Sequence, residues 1–149
     1  MRPAIRAAVP DDLPALVALD ELCFGSTAWS TVAWTDEFER LSADRVILVA
    51  DEGSVLGYVV LLLPPVEVDV VDVLRIAVRP AERRTGIGGQ LMTAALARCA
   101  GRTVLLEVAA SNESAIGLYR GFGFEQISRR SGYYGAGEDA VIMRWREEQ

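Results

Sequence analysis

At 149 residues, 51% of them hydrophobic and 24% charged, the chain has the size and composition of one globular domain rather than of a disordered segment. It contains no histidine and no lysine, all 15 basic side chains being arginine, so the commonest zinc ligand, the Ser-His and Cys-His nucleophile pairs, the P-loop lysine and the pyridoxal Schiff base are excluded. The net charge of −6 speaks against nucleic acid and suits a cationic substrate.

Cys23 and Cys99 have neither a metal-binding nor a CxxC spacing, and no metal is expected. The longest apolar runs, Val46–Ala50 and Val55–Pro65, fall short of the roughly 20 residues that a membrane span requires. Met1-Arg2-Pro3-Ala4-Ile5-Arg6 leads into Asp11-Asp12 without an apolar h-region, so a cytoplasmic protein without a membrane partner is expected.

In chain order, a short strand is expected at Ala4–Ala8. Asp11 then caps a helix whose apolar stripe is Leu13, Leu16, Val17, Leu19, Leu22 and Cys23. Gly25-Ser26-Thr27 breaks that helix, and Ser30 caps a second one with Trp34, Phe38 and Leu41 at helical spacing. Arg45–Asp51 and Val55–Leu63 read as a hairpin turning at Glu52-Gly53-Ser54, and the valine-rich Val68–Val78 as a third long strand that stops before Pro80. A helical period follows in Ile87, Leu91, Met92, Ala95, Leu96 and Cys99, with Gly101 as its cap and Cys99 as a core thiol. Thr103–Val108 is a buried strand, Ser114–Arg120 a helix ended by Gly121-Phe122-Gly123-Phe124, and Glu125–Tyr133 and Ala140–Trp145 a closing hairpin with its tip at Tyr134–Asp139. No repeat or linker interrupts this order, so residues 1–149 are read as one α/β domain, a mixed sheet with helices on its faces.

Three features carry chemistry. The first is Arg79-Pro80-Ala81-Glu82-Arg83-Arg84-Thr85-Gly86-Ile87-Gly88-Gly89, an arginine-flanked glycine turn between a strand and a helix. Glycines there let backbone N–H groups approach a ligand closely, and the helix start adds partial positive charge suited to phosphate. On its own the segment reads equally well as a turn without a ligand. The second is Glu107, which alternation places with Leu105 on the strand face opposite Val104, Leu106 and Val108. A carboxylate on a central strand is paired, solvated or functional, and near the strand's C-terminal end either a ligand crevice or plain water accounts for it. The third is Asn112 with Tyr119, a cap or amide donor followed by a hydroxyl-bearing aromatic that also fits a core position beside Phe122 and Phe124.

In this order the three features resemble the GNAT superfamily of N-acetyltransferases along essentially the whole chain. Arg83-Arg84-Thr85-Gly86-Ile87-Gly88 fits that family's Q/R-x-x-G-x-G/A pattern, and Ile76-Ala77-Val78 its cofactor-binding strand. Leu106–Asn112, Ala115-Ile116, Leu118-Tyr119 and Gly121–Phe124 resemble the RimI-type ribosomal-protein-alanine N-acetyltransferases. So do Trp29-Ser30 after Phe24, and Tyr133-Tyr134 ahead of Glu138-Asp139-Ala140.

The resemblance implies a mostly antiparallel sheet of about seven strands with about four helices, and acetyl-coenzyme A as co-substrate. It implies a protein or peptide N-terminus as acceptor, by family a ribosomal protein ending in alanine. Glu107 is then the general base and Tyr119 the general acid. Ile76, Ala77, Val78, Arg83, Arg84, Thr85, Gly86, Ile87, Gly88, Gly89 and Asn112 bind the cofactor, with a backbone N–H near Val78 for the oxyanion. Gly25–Trp34 and Gly132–Asp139 wall the acceptor groove, with Trp29, Tyr133 and Tyr134 as its aromatic surfaces and Glu138 and Asp139 either attracting a cationic N-terminus or simply solvated. Ala109 and Gly135 depart from the branch, which often has arginine and proline there. A small amine or amino acid as acceptor, and an idle acyl-coenzyme A binding module, are the alternative readings.

Overall fold

The computed structural model describes residues 3–132 and 137–147. Strands β1 (Ala4–Ala7), β2 (Arg45–Asp51), β3 (Val55–Leu62), β4 (Val70–Val78), β5 (Thr103–Ala109), β6 (Glu125–Arg130) and β7 (Ala140–Arg146) form one sheet, ordered β1-β2-β3-β4-β5-β7-β6. Every pairing is antiparallel except β4 with β5. The helices are α1 (Leu13–Phe24), α2 (Thr31–Glu39), α3 (Ile87–Ala97) and α4 (Glu113–Gly121).

Alternation along the strands divides the core in two. Leu48, Ala50, Val59, Leu61, Val104, Leu106 and Val108 join Leu91, Met92 and Ala95 of α3 and Tyr119 of α4 on one face. Ile47, Val49, Tyr58, Val60 and Ala77 join Leu16 and Leu19 of α1 and Trp34 of α2 on the other. β3 is buried on both faces, as its unbroken apolar run requires. The α1/α2 layer packs on β2, β3 and β4 alone, so Leu105 and Glu107 of β5 look into an open depression on that face.

Two sequence expectations shift. Asp12 rather than Asp11 stands at the start of α1, and neither caps it through its side chain: Pro10–Asp12 forms a 3-10 turn in which the Asp12 carboxylate accepts from the Val9 N–H at 2.8 Å and from Arg6 at 2.8 and 2.9 Å. Leu22, expected in the apolar stripe, is 62% exposed, while Asp20 is fully buried. The buried face follows i, i+3, i+4 spacing through Leu13, Leu16, Val17, Asp20 and Phe24, and hydrogen bonds satisfy the carboxylate that this places inside. Ser30 caps α2 as expected, its Oγ accepting from the Ala33 N–H at 3.0 Å. Cys99 is buried, and burial pushes its thiol up to about 11.

α3 lies close on β3 because Gly57 has no side chain. A Cβ there would stand 2.9 Å from the Ala77 carbonyl oxygen and 3.1 Å from Leu91 Cδ1, and backbone cannot yield to it. Gly57→Ala is therefore expected to lower the unfolding free energy by about 1–3 kcal/mol, the usual cost of overpacking, read as a fall in the urea midpoint with an unchanged m-value.

Candidate active site

β4 and β5 run together only from Val70–Val73 against Thr103–Leu106. At Leu74 β4 gains an extra residue relative to β3, Val60 pairing with Arg75 but Leu61 with Val73, and this bulge turns the strand away. From there to Val78, β4 stays paired with β3 and leaves β5. The Arg79 N–H donates to the Leu56 carbonyl at 2.7 Å, so the antiparallel alternation turns the Ala77 backbone towards β3 and the Ile76 and Val78 backbone groups towards the gap.

On the α3 side a groove of about 700 Å³ runs along this gap, lined by Ile76, Ala77 and Val78, by the turn before α3, and by Asn112, Ala115, Leu118 and Tyr119. Its end is the turn itself. Gly86 caps α3 at φ +89°, and Arg84 occupies the left-handed region at φ +69°, a costly conformation for a side-chain-bearing residue. The first helical bond is Gln90 N–H to Gly86 carbonyl, and none of the backbone N–H groups from Arg84 to Gly89 meets an acceptor among the described residues. Six unpaired donors at a helix N-terminus form an anion cradle. Arg83, Arg84, Gly86, Ile87, Gly88 and Gly89 line the groove there, while the Thr85 hydroxyl donates to the Glu82 carbonyl and steadies the turn. A Cβ on Gly88 would meet Leu118 and Val78 at ordinary contact distances, 3.4 and 3.8 Å, so the glycine leaves room in the groove without being required by packing.

Asn112 is the α4 cap, its Oδ1 accepting from the Ala115 N–H at 3.2 Å, and it lines the groove as well. Tyr119 meets both descriptions the sequence offers: its ring packs on Phe124 at 5.9 Å between centroids, and it lines the groove. Burial pushes its hydroxyl up to about 12.

Glu107 lies on the opposite face of the sheet. Its side chain is 35% exposed, 3.5 Å from an Arg130 nitrogen, in a depression of about 510 Å³ shared with Asp72, Leu74, Leu105 and Ile142. Burial raises the Asp72 carboxyl above its usual range. Glu107 and Tyr119 thus line separate cavities with the β4–β5 gap between them.

The remaining predicted residues are placed differently. Trp29 packs on Trp34 at 5.0 Å and takes no part in lining either cavity. Tyr133, Tyr134 and Gly135 lie outside the described residues. Glu138 accepts from the Ser111 N–H at 3.1 Å, and Asp139 from the Gly132 N–H at 2.8 Å and from Arg129 at 2.7 Å, which together hold the Asp139 carboxyl below its usual range. Asp139 thus binds residues of its own hairpin, and Glu138 ties to the backbone after β5. Cys23 and Phe24, at the end of α1, also line the groove on the α3 side; their place on the buried face of α1, one turn from Asp20, is the only sign of this in the sequence.

The sheet is thus open along its middle, with a row of unpaired backbone donors on one side and a carboxylate on the other, a site that two molecules can approach from opposite faces. Residues 13–124 match the Acetyltransferase (GNAT) family. The chain is 32% identical over 129 residues to N-alpha-acetyltransferase RimI of Mycobacterium tuberculosis, covering 83% of this chain and 79% of that protein. It is 35% identical over 146 residues, 94% of its length, to an uncharacterized protein of Mycobacterium leprae, of whose length the match spans 39%. The ribosomal-protein-S18-alanine N-acetyltransferase of Escherichia coli superposes with a TM-score of 0.85 at 25% identity, over 98% of this chain and 94% of that one. The chain belongs to the GNAT family of acetyltransferases.

Proposed function

We propose that the 149-residue chain is a single catalytic unit transferring the acetyl group of acetyl-coenzyme A to the N-terminal α-amine of a protein or peptide. The observation that carries this reading is the row of unpaired N–H groups from Arg84 to Gly89, continuous through one groove with the free edge of β4 at Ile76–Val78. The cradle takes the pyrophosphate, with Arg83 and Arg84 as counter-charges. The outward N–H and carbonyl of Ile76 offer an amide-bearing arm the bonds of an added strand, while the Val78 carbonyl accepts from Arg83 Nε at 3.3 Å and from Cys23 Sγ at 3.5 Å. By the branch it resembles, the acceptor is a ribosomal protein with N-terminal alanine.

The chemistry follows from the pKa values involved. An α-amine, near 7.7–8.0, is partly neutral at physiological pH, whereas a lysine side chain near 10.4 is neutral about one time in a hundred or less. A solvent-linked carboxylate such as Glu107 is base enough for the first. The neutral amine attacks the thioester carbon across the gap, and the Val78 N–H donates to the oxygen that gains charge. Glu107, through water, takes the proton shed by the amine as the C–S bond breaks.

Tyr119 serves the departing sulfur. Its pKa of about 12 makes full proton transfer to a thiolate, conjugate acid near ~8.5 by analogy with cysteine, several units uphill. The hydroxyl stays protonated and stabilises the thiolate by donating a hydrogen bond.

In a thiol-release assay with alanine-ended peptides, Tyr119→Phe and Glu107→Gln are each expected to lower kcat by about 10²-fold while acetyl-coenzyme A affinity changes less than about threefold. Turnover of both variants at the wild-type rate removes these roles, and release with small amines but no peptide changes the acceptor. The pH profile gives a separate check. A tyrosine donates only below its pKa, and that of Tyr119 is displaced upward, so kcat/KM is expected to rise through the amine's range near 8 and stay level to about pH 10. A descending limb near 10 that disappears in Tyr119→Phe keeps the role of Tyr119 but contradicts its upward displacement, and one that persists in Tyr119→Phe belongs to another group.

A further inference from the structure

Beneath the loop that follows α1 lies a buried polar cluster that none of the steps above uses. Asp20 is fully buried, and its carboxylate accepts from the Tyr58 hydroxyl in a short bond, from the Trp29 N–H at 2.7 Å and from Arg75 at 2.9 and 3.3 Å. Arg75 also donates to the Thr27 carbonyl at 3.0 Å, and its guanidinium lies 3.7 Å from the Phe24 ring centroid and 5.0 Å from that of Trp29. One side chain of β4 therefore grips the chain from Phe24 to Trp29 by two rings, one carbonyl and, through Asp20, one N–H.

The bulge at Leu74 is what aims it there. Without the extra residue, strict alternation would send Leu74 and Arg75 to opposite faces; with it both face the α1 side. Leu74 lines the Glu107 depression, Ile76 lines the cofactor groove, and Phe24, under the guanidinium, also lines that groove. Arg75 follows the point where β4 leaves β5 and lines neither cavity itself.

We infer that Arg75 is a positioning residue that locks the loop Gly25–Trp29 against the mouth of the gap and so sets how the acceptor amine is presented. This inference rests on the acetyl-transfer reading. The interaction needs a fork and a flat face, which lysine lacks, so Arg75→Lys keeps the charge beside buried Asp20 while losing the Thr27 bond and the ring sandwich. Arg75→Met keeps the bulk between the rings and loses every donor.

The test measures three quantities on the whole protein carrying each substitution: acetyl-coenzyme A affinity by calorimetry, acceptor KM and kcat with an alanine-ended peptide, and amide hydrogen exchange over residues 25–29. In both variants exchange in that segment is expected to quicken at least about tenfold, acceptor KM to rise about tenfold, and acetyl-coenzyme A Kd to stay within about twofold. No hydrogen bond of the cluster involves the Arg84–Gly89 donors, and Arg75 meets that groove through the Phe24 ring, which is why the affinity is expected to hold. Unchanged exchange at 25–29 overturns the inference whether or not any acceptor is found. Faster exchange with unaltered acceptor KM overturns its functional half. A wild-type protein that acetylates no amine instead overturns the acetyl-transfer reading, leaving the loop measurement to stand or fall alone.

Discussion

Parallel pairing between β4 and β5 ends at Val73 and Leu106, and the rest of the molecule is organised around that ending. A continuous ladder would use every backbone group of β4 internally and seal the sheet between its two helical layers. The bulge at Leu74 breaks it, at the cost of leaving the Ile76 and Val78 groups without a neighbouring strand. What a folding-optimised sheet would hide becomes a strip of donors and acceptors, reachable along one groove, with Glu107 exposed on the far side. Transfer between two molecules requires such an arrangement, since each needs its own approach to a shared point.

The turn before α3 bears a second deliberate cost. Arg84 in the left-handed region and Gly86 at φ +89° force successive N–H groups to converge rather than enter a ladder. Unpaired donors weaken a fold unless something accepts from them, and on the proposed function that acceptor is the anionic substrate, which repays the strain where it is stored. Gly57, by contrast, serves packing alone, letting α3 approach closely enough for its first turn to reach the gap.

Much of this was legible in the sequence because alternation and helical spacing are local. Glu107 was assigned to the face opposite Val104 and Leu106 from alternation, and it lies there. The glycine turn gave its position, though nothing in its residues distinguished a bare turn from a cradle; that difference lies in φ at Arg84 and in the missing acceptors.

What escaped was non-local. Val70–Val78 reads as one regular strand, and the bulge is visible only in register with β3. Residue type alone favours Leu22 over Asp20 for the buried face, because a buried carboxylate makes sense only with Tyr58, Arg75 and Trp29 around it, and these lie 38, 55 and 9 residues away in sequence. The placement of β7 between β5 and β6 likewise follows from pairing partners, not from either strand's composition.

If one ligand spans the turn and the free edge of β4 in a single groove, both ends respond to one binding event. A titration of the isotopically labelled protein with coenzyme A, followed through its backbone amide resonances, should then give downfield shifts for the Arg84–Gly89 amides together with new exchange protection at Ile76 and Val78, all saturating at one concentration. Shifts at the turn without protection on β4, or saturation at two different concentrations, would contradict it.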